Sequence, residues 1–459
     1  MREYSAYGEM CIGDKTLSKR VEKTLELLSS EPESSVLAAC KDPHQAKGVY
    51  RLLSNNKFTT ESVISISKQE TIARIHESGV KVVLVPQDTT AIDYSGLKKT
   101  TGLGAISSCE NSRGLMMHSA IAVGDDGRTF GLLAGKIWNR PKEAKGKKKL
   151  RKKLLIEDKE SYKWLETIDT AKIFEEMDDV KVIHICDREG DIYELFSKAV
   201  AERMIFICRR THSRIAQDEN GERKYIDSHI EEMPLSGILD VNVPRDSHTK
   251  REARTARLEI KFGKIRIMKP TNLKKTSTLL EFVDVNVISA KEVNPPESVR
   301  EPINWQLVTN DKVESFEDAE LCICRYTKRW KIETFHYTLK SGCTIEKLQE
   351  STAEKLKKLI VLYSVIALRI MALTFLARTN PETSCEEEFS PDEWKILYRV
   401  VNKTTQTPEK PPTIFEAVIM IAKLGGFSAR KSDGFPGVTV IWRGLSKLAA
   451  ILDASYYIC

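Results

Sequence analysis

No pair of the ten cysteines is spaced as a zinc knuckle requires, since Cys322 and Cys324 have one residue between them. Cys186 and Cys208 fall inside apolar, strand-like runs, where cysteine behaves as a small hydrophobe. That distribution excludes a disulfide scaffold and structural zinc, and it fits a reducing cytoplasm. The opening stretch, MREYSAYGEMCIGDK, has no apolar signal core. The most apolar run, residues 359–377, carries Arg369 in its middle and follows Lys355, Lys357 and Lys358. A buried helix is therefore expected there, not a membrane span. Internal repeats are absent, and so is any evident nucleophile–base arrangement for covalent catalysis.

What remains is an ordinary globular composition, 41% hydrophobic and 30% charged over 459 residues, long enough for several domains. The net charge of +7 permits a polyanionic partner without requiring one. The excess is locally concentrated: residues 142–153 (KEAKGKKKLRKK) hold eight Lys/Arg and one Glu. Such a strip is either a solvated loop or a phosphate-contacting segment.

The chain opens with helical patterns in TLSKRVEKTLELL, AKGVYRLLSN and TTESVISISKQ. VKVVLVPQDTT then reads as a strand stopped by Pro86, which places Asp88 just past its carboxyl end. GLMMHSAIAVGDDGRTFGLLAGKIW has the form of a hairpin turning at Asp126-Gly127. A helix around DKESYKWLETIDTAKIFEEM precedes a second buried strand, VKVIHIC, which ends at Asp187. A helix (DIYELFSKAVAER) and a third strand (MIFICRR) follow. From about Thr211 to Asn310 short alternating segments, ILDVNV, ARLEIKF, KIRIMK, LEFVDVNVI and INWQLVTN, suggest a β-rich insertion. Beyond Glu317 the pattern is helical again. Two acids thus finish core strands, where open α/β sheets place their sites, and a third, Glu333, rides a later helix.

Residues 326–340, YTKRWKIETFHYTLK, read as one amphipathic helix. With Tyr326 at zero, Arg329, Glu333 and Lys340 fall at about 300°, 340° and 320°, a stripe roughly 60° wide with His336 at its edge. Ile332, Phe335 and Leu339 form a separate packing face. An Arg329–Glu333 pair alone would be worth only about 0.3–0.5 kcal/mol. A divalent-metal site beside nucleic-acid phosphates accounts for more residues. Hard cations take carboxylate oxygens, and paired ions serve phosphoryl transfer while Arg and Lys grip phosphates.

The spacing Tyr326-x2-Arg329-x3-Glu333-x6-Lys340 resembles the Y-R-E-K signature of bacterial DDE transposases of the insertion-sequence-four group, which includes the Tn-five transposase. The resemblance extends to QDTT at Asp88, DREGDIYELF from Asp187, NPP and INWQLVTN before the helix, and IAKLGGF, PG and W-x-G near the C-terminus. It implies an α/β chain with a ribonuclease-H-like catalytic core (71–210 and 311–350), a β-rich insertion (211–310), a helical DNA-end-binding domain (1–70) and a helical dimerisation domain (351–459). It further implies that Asp88, Asp187 and Glu333 hold two Mg²⁺ ions, with Mn²⁺ as a substitute. Tyr326, Arg329 and Lys340 would contact the backbone of the transposon end. Arg188, Arg209 and Arg20 match basic DNA-contacting positions, the first two being open to reading as surface ion-pair residues. Trp305 matches a tryptophan on which a flipped base stacks, although core packing is the commoner fate of that residue.

The sequence departs from the family pattern at Thr16 and Leu17, in a run otherwise basic, and at Leu115 and Met116, where tryptophans are usual. The implied activity is cut-and-paste transposition. A metal-activated water nicks the transposon end, and the freed 3′-hydroxyl attacks the opposite strand to form a hairpin. The hairpin is hydrolysed, and the 3′ end joins target DNA. The implied partners are double-stranded end and target DNA and a second copy of the chain, with no membrane, in a bacterial cytoplasm at the nucleoid. The rivals are a nuclease that cuts without joining, a non-catalytic DNA-binding inhibitor of transposition, and, more remotely, a two-carboxylate glycosidase, for which the basic residues would have no role.

Overall fold

The computed structural model describes all residues except 1–3, 10–13, 41, 110, 141–153, 178, 244–251, 272, 274–278, 298, 431–432 and 459. The basic strip at 142–153 therefore lies outside the described residues. Helices α1 (Ser5–Glu9), α2 (Lys15–Ser30), α3 (Val36–Cys40), α4 (Pro43–Leu53) and α5 (Thr60–Ser78) open the chain. Their starts are written in the sequence. Asp14 Oδ1 accepts the Leu17 N–H at 2.8 Å, Asp42 caps α4 ahead of Pro43, and Thr59 and Ser62 form a reciprocal capping box. Gly79 ends α5 in the left-handed region, φ 66°.

The central stretch is mixed α/β: β1 (Val82–Asp93), β2 (Gly104–Ala105), β3 (Arg113–Gly124), β4 (Thr129–Trp138), α6 (Tyr162–Ile168), β5 (Lys181–Cys186), α7 (Tyr193–Ala201) and β6 (Ile205–Arg209). Next come β7 (Ile215–Gln217), β8 (Arg223–Tyr225), α8 (Ile226–Glu232), β9 (Gly237–Val243), β10 (Arg254–Met268), β11 (Phe282–Glu292) and β12 (Asn304–Thr309). The close is helical, with α9 (Phe316–Thr327), α10 (Trp330–Tyr337), α11 (Ala353–Thr379), α12 (Pro391–Asn402), α13 (Ile414–Leu424) and α14 (Val438–Ile458).

Two sequence expectations need correction. Strand β1 does not stop at Pro86 but runs on to Asp93, so Asp88 lies within it. Proline removes only one donor, and the ladder to β5 ends at Pro86, paired with Ile185. The segments ARLEIKF and KIRIMK are one strand, β10, which passes through Gly263 while pairing with β11.

Packing divides the chain into two compact units, with cuts that differ from the expected domain boundaries. One unit comprises Lys81–Asp88 and Lys147–Trp330. In it, β1 and β6 each pair in parallel with β5. Strand β12 then pairs antiparallel with β6, followed by β11 and β10, and β10 also takes β7 and β9. Its core holds Trp164, Tyr193, Phe196 and Phe206, with the two phenylalanine rings stacked 4.7 Å apart.

The other unit comprises Met1–Val80, Thr89–Gly146 and Lys331–Cys459. It contains the hairpin β3–β4, which turns where expected, with Gly127 at φ 91°. Helix α11 is long and apolar enough to cross a bilayer, yet most of it is buried in protein, as the charge of Arg369 led us to expect. Leu115 and Met116, at the positions where tryptophans are usual, are buried in β3. Their neighbour Gly114 allows a close backbone approach, because a Cβ there would lie 1.9 Å from the Ile92 carbonyl oxygen. Gly114→Ala is therefore expected to cost about 1–3 kcal/mol in denaturant unfolding. An unchanged midpoint would show that the strands part without penalty.

Candidate active site

In the strand unit, register alone gathers three charged residues. Pro86 is level with Ile185 on the neighbouring parallel strand, so two residues further on Asp88 comes level with Asp187. Cys186 is level with Cys208, so one residue on Asp187 comes level with Arg209. Adjacent strands lie about 4.8 Å apart and in-register side chains share a face. Asp187 and Arg209 thus stand at the carboxyl ends of β5 and β6, the place where parallel sheets carry their chemistry, and Asp88 stands beside them on β1, just past the last residue that pairs with β5.

Asp187 leaves its strand by capping a short 3₁₀ turn, its Oδ1 accepting the Glu189 N–H at 2.7 Å. Burial pushes its carboxyl above the usual range, and the Glu189 N–H and the nearby Arg329 guanidinium only partly offset this. Arg329 Nη1 also lies 3.6 Å from Asp88 Oδ2. One guanidinium therefore serves both acids. The Tyr326 ring is buried, which raises its phenol, while Arg329 and Arg209 pull it down. Trp305 is half-buried on β12 and meets Tyr326 edge-on, the centroids 5.7 Å apart. Arg209, held low by burial, donates from Nη2 to the Asn304 carbonyl at 3.3 Å. Arg188 is exposed.

The single helix expected over 326–340 is three pieces. Helix α9 ends at Thr327, and Lys328 and Arg329 close it with tight bonds to the carbonyls of Arg325 and Tyr326, each 3.0 Å. Helix α10 follows, and Thr338–Gly342 forms a π-turn closed by the Cys343 N–H on the Thr338 carbonyl at 2.9 Å. The common stripe is thus broken. Tyr326 turns into the core, Arg329 turns to Asp88, and Glu333 and Lys340 belong to the helical unit together with Arg20. Ile332, Phe335 and Leu339 are fully buried, as their spacing indicated. His336 is buried too, its Nε2 3.3 Å from Ser119 Oγ, and burial pushes it down to about 3. It is neutral at ordinary pH.

Several supporting residues have no local sequence signal. Gln87 and His184 are fully buried and touch across β1 and β5, Nε2 to Nδ1, at 3.3 Å. Burial pushes His184 down to about 4 and keeps it uncharged. Arg210 joins Asp227 and Gln306, next to Trp305. Asp191 accepts the Thr211 and His212 N–H groups at 2.7 and 2.6 Å and pairs with Arg214, tying the loop after β6 to the Asp187 turn. Asp191 falls within DREGDIYELF, four residues after Asp187, and that second aspartate was the available clue.

Among the described residues, no group of three or more His, Cys, Asp and Glu side chains is already drawn together as a metal cage. The donor chemistry nevertheless suits a hard divalent cation. Two carboxylates stand on neighbouring strands, one carries a burial penalty that a cation would relieve, and both now share a guanidinium.

Residues 6–58 match the family model of the transposase DNA-binding domain, and residues 365–459 match that of the transposase Tn5 dimerisation domain. A solved structure described as a piggyBac transposase synaptic complex with hairpin DNA is similar over 99% of this chain and 79% of that one. Its identity is 8% and its TM-score 0.35, a degree of likeness from which nothing follows. The two matches lie at opposite ends of the chain, one to a DNA-binding and one to a dimerisation domain of transposases. Both matches support a Tn5-like transposase.

The raised carboxyl of Asp187 has a consequence for stability. Its folded form holds a proton more tightly than the unfolded chain, so stability is lost as pH rises through its folded value. Asp187→Asn, which keeps the cap acceptor, is expected to melt a few degrees above the parent at neutral pH and level with it below the ordinary carboxylate range. Equal melting temperatures at both pH values would show that Asp187 is not buried at a cost.

Proposed function

We propose that the chain is a cut-and-paste DNA transposase of the insertion-sequence-four group, built on a ribonuclease-H-like core. The observation that carries the catalytic part is the gathering of Asp88, Asp187, Arg209, Tyr326 and Arg329 where the ladder of three parallel strands ends. Asp88, Asp187 and Glu333 would hold Mg²⁺, or Mn²⁺ in its place. Bound there, two ions would supply Lewis-acid stabilisation of the attacking and leaving oxygens. The protein's own groups supply orientation. Arg329 and Arg209 offer planar forks to DNA phosphates and Lys340 a point charge, while Trp305, backed by Tyr326, offers a face for an unstacked base.

The route is a nick at the transposon end, a hairpin, its hydrolysis, and joining of the 3′ end to target DNA. The dimerisation match favours pairing of two ends over a nuclease acting alone. Asp88→Asn, Asp187→Asn and Glu333→Gln should each abolish Mg²⁺-dependent cleavage of inverted-repeat duplex with little change in end binding. Near-normal cleavage by any one of them removes that residue from the site. Strand-transfer products separate a transposase from a simple nuclease.

Trp305 gives a finer test. Stacking on an indole is worth about 1–3 kcal/mol, so Trp305→Ala should slow hairpin formation about tenfold or more with nicking nearly normal. A packing tryptophan would cost about 3–5 kcal/mol of stability and slow both steps together. Parallel loss of both rates with a large drop in melting temperature would make the residue structural.

A further inference from the structure

Lys340 lies inside the π-turn after α10, with its ammonium 3.5 Å from Glu346 Oε1. The same oxygen accepts the backbone N–H of Asp93, the last residue of β1, at 3.0 Å. Glu346 has little freedom of its own. It sits in a 3₁₀ turn, Ile345–Lys347, entered through Thr344 at φ 45°. Ile345 beside it is fully buried, and its carbonyl accepts the hydroxyl of buried Tyr94 at 2.8 Å. Asp93 is fixed in turn, its Oδ1 accepting the Ser95 N–H at 2.7 Å. Its carboxyl is held below the usual range by the bonds from Ser95 and, more weakly, by the charge of Lys340.

We propose that Glu346 is a positioning residue for Lys340, holding its ammonium at the end of β1 in the place from which it meets a phosphate of the transposon end. This rests on the reading that Lys340 contacts the DNA backbone. A carboxylate beside a phosphate track repels the ligand, so on a DNA-binding face it works against binding unless it does something else. A lysine loses much rotamer freedom when it grips a phosphate, and a fixed partner removes that loss in advance. At 3.5 Å, with the two side chains 28% and 36% exposed, the pair is a tether and not a lock. The ammonium has three donors, so it can keep Glu346 and still take a phosphate oxygen. A π-turn at this point fits, since such turns recur at functional sites.

A double-mutant cycle decides the matter by its sign. Full-length protein, Lys340→Met, Glu346→Gln and the double variant are titrated with inverted-repeat duplex in EDTA, with melting temperatures recorded alongside. Glutamine keeps an acceptor for the Asp93 N–H while removing the charge. Lys340→Met should weaken end binding more in the parent than in the Glu346→Gln background, by about two- to tenfold. An equal penalty in both backgrounds overturns the proposal. So does a larger penalty in Glu346→Gln, which would make Glu346 a competitor of DNA for Lys340, and so does a Lys340→Met variant without effect in either. Should Glu346→Gln melt early, Glu346→Asp, which withdraws the charge by one methylene, is judged by the same sign with a smaller coupling. Cleavage is not needed for this measurement. A parent protein that fails to cut DNA in Mg²⁺ would sink the catalytic reading and leave the cycle standing.

Discussion

The arrangement depends on the cost of burying a carboxylate, Asp187, on the strand next to the one that carries Asp88. Burial raises the carboxyl of Asp187, and the neighbouring charge of Glu189 adds to the penalty. A single guanidinium, Arg329, answers both acids. Much of the local structure can be seen as the means of delivering it. Helix α9 closes early, the chain turns at Lys328 and Arg329, and Tyr326 is driven into the core beneath Trp305. A guanidinium cannot give up its proton in a protein, so its positive charge stays in place whatever the ordinary pH. On the function proposed above, a cation and DNA phosphates would find their counter-charges already assembled. Binding then exchanges partners without exposing a bare buried charge.

Much of this was legible in the sequence. Parallel strands buried on both faces read as unbroken apolar runs, so VKVVLV and VKVIHIC stood out and the acids that follow them were conspicuous. The hairpin announced itself through Asp126-Gly127, and the buried helix through a charge in the middle of its apolar run. Local pattern failed where a distant partner decided the outcome. Periodicity over 326–340 gives one continuous stripe, because nothing nearby reveals that Asp88 draws Arg329 away. Pro86 looked like a strand end because proline removes a donor, but the strand needs no bond to β5 beyond that residue. The buried Gln87–His184 pair joins two strands far apart in sequence, and no spacing rule links them. Glu346 has no spacing signal, because Lys340 sits in a π-turn and Glu346 in a separate 3₁₀ turn, which defeats any α-helical wheel.

That π-turn also constrains how the chain length here can change. A wide turn holds one residue more than the α-helix it interrupts, and each α-helical residue is worth about 100° of rotation. Losing one residue between Thr338 and Gly342 would let the helix relax into ordinary hydrogen bonding with no loss of backbone satisfaction. It would also swing everything beyond the turn around the axis. At Gly342 the room is already taken, since a Cβ there would lie 2.7 Å from the Trp442 ring. Single-residue insertions and deletions in this segment are therefore errors of phase more than of stability. The spacing between Glu333 and Lys340 is a measured length that substitution can leave intact and an indel cannot.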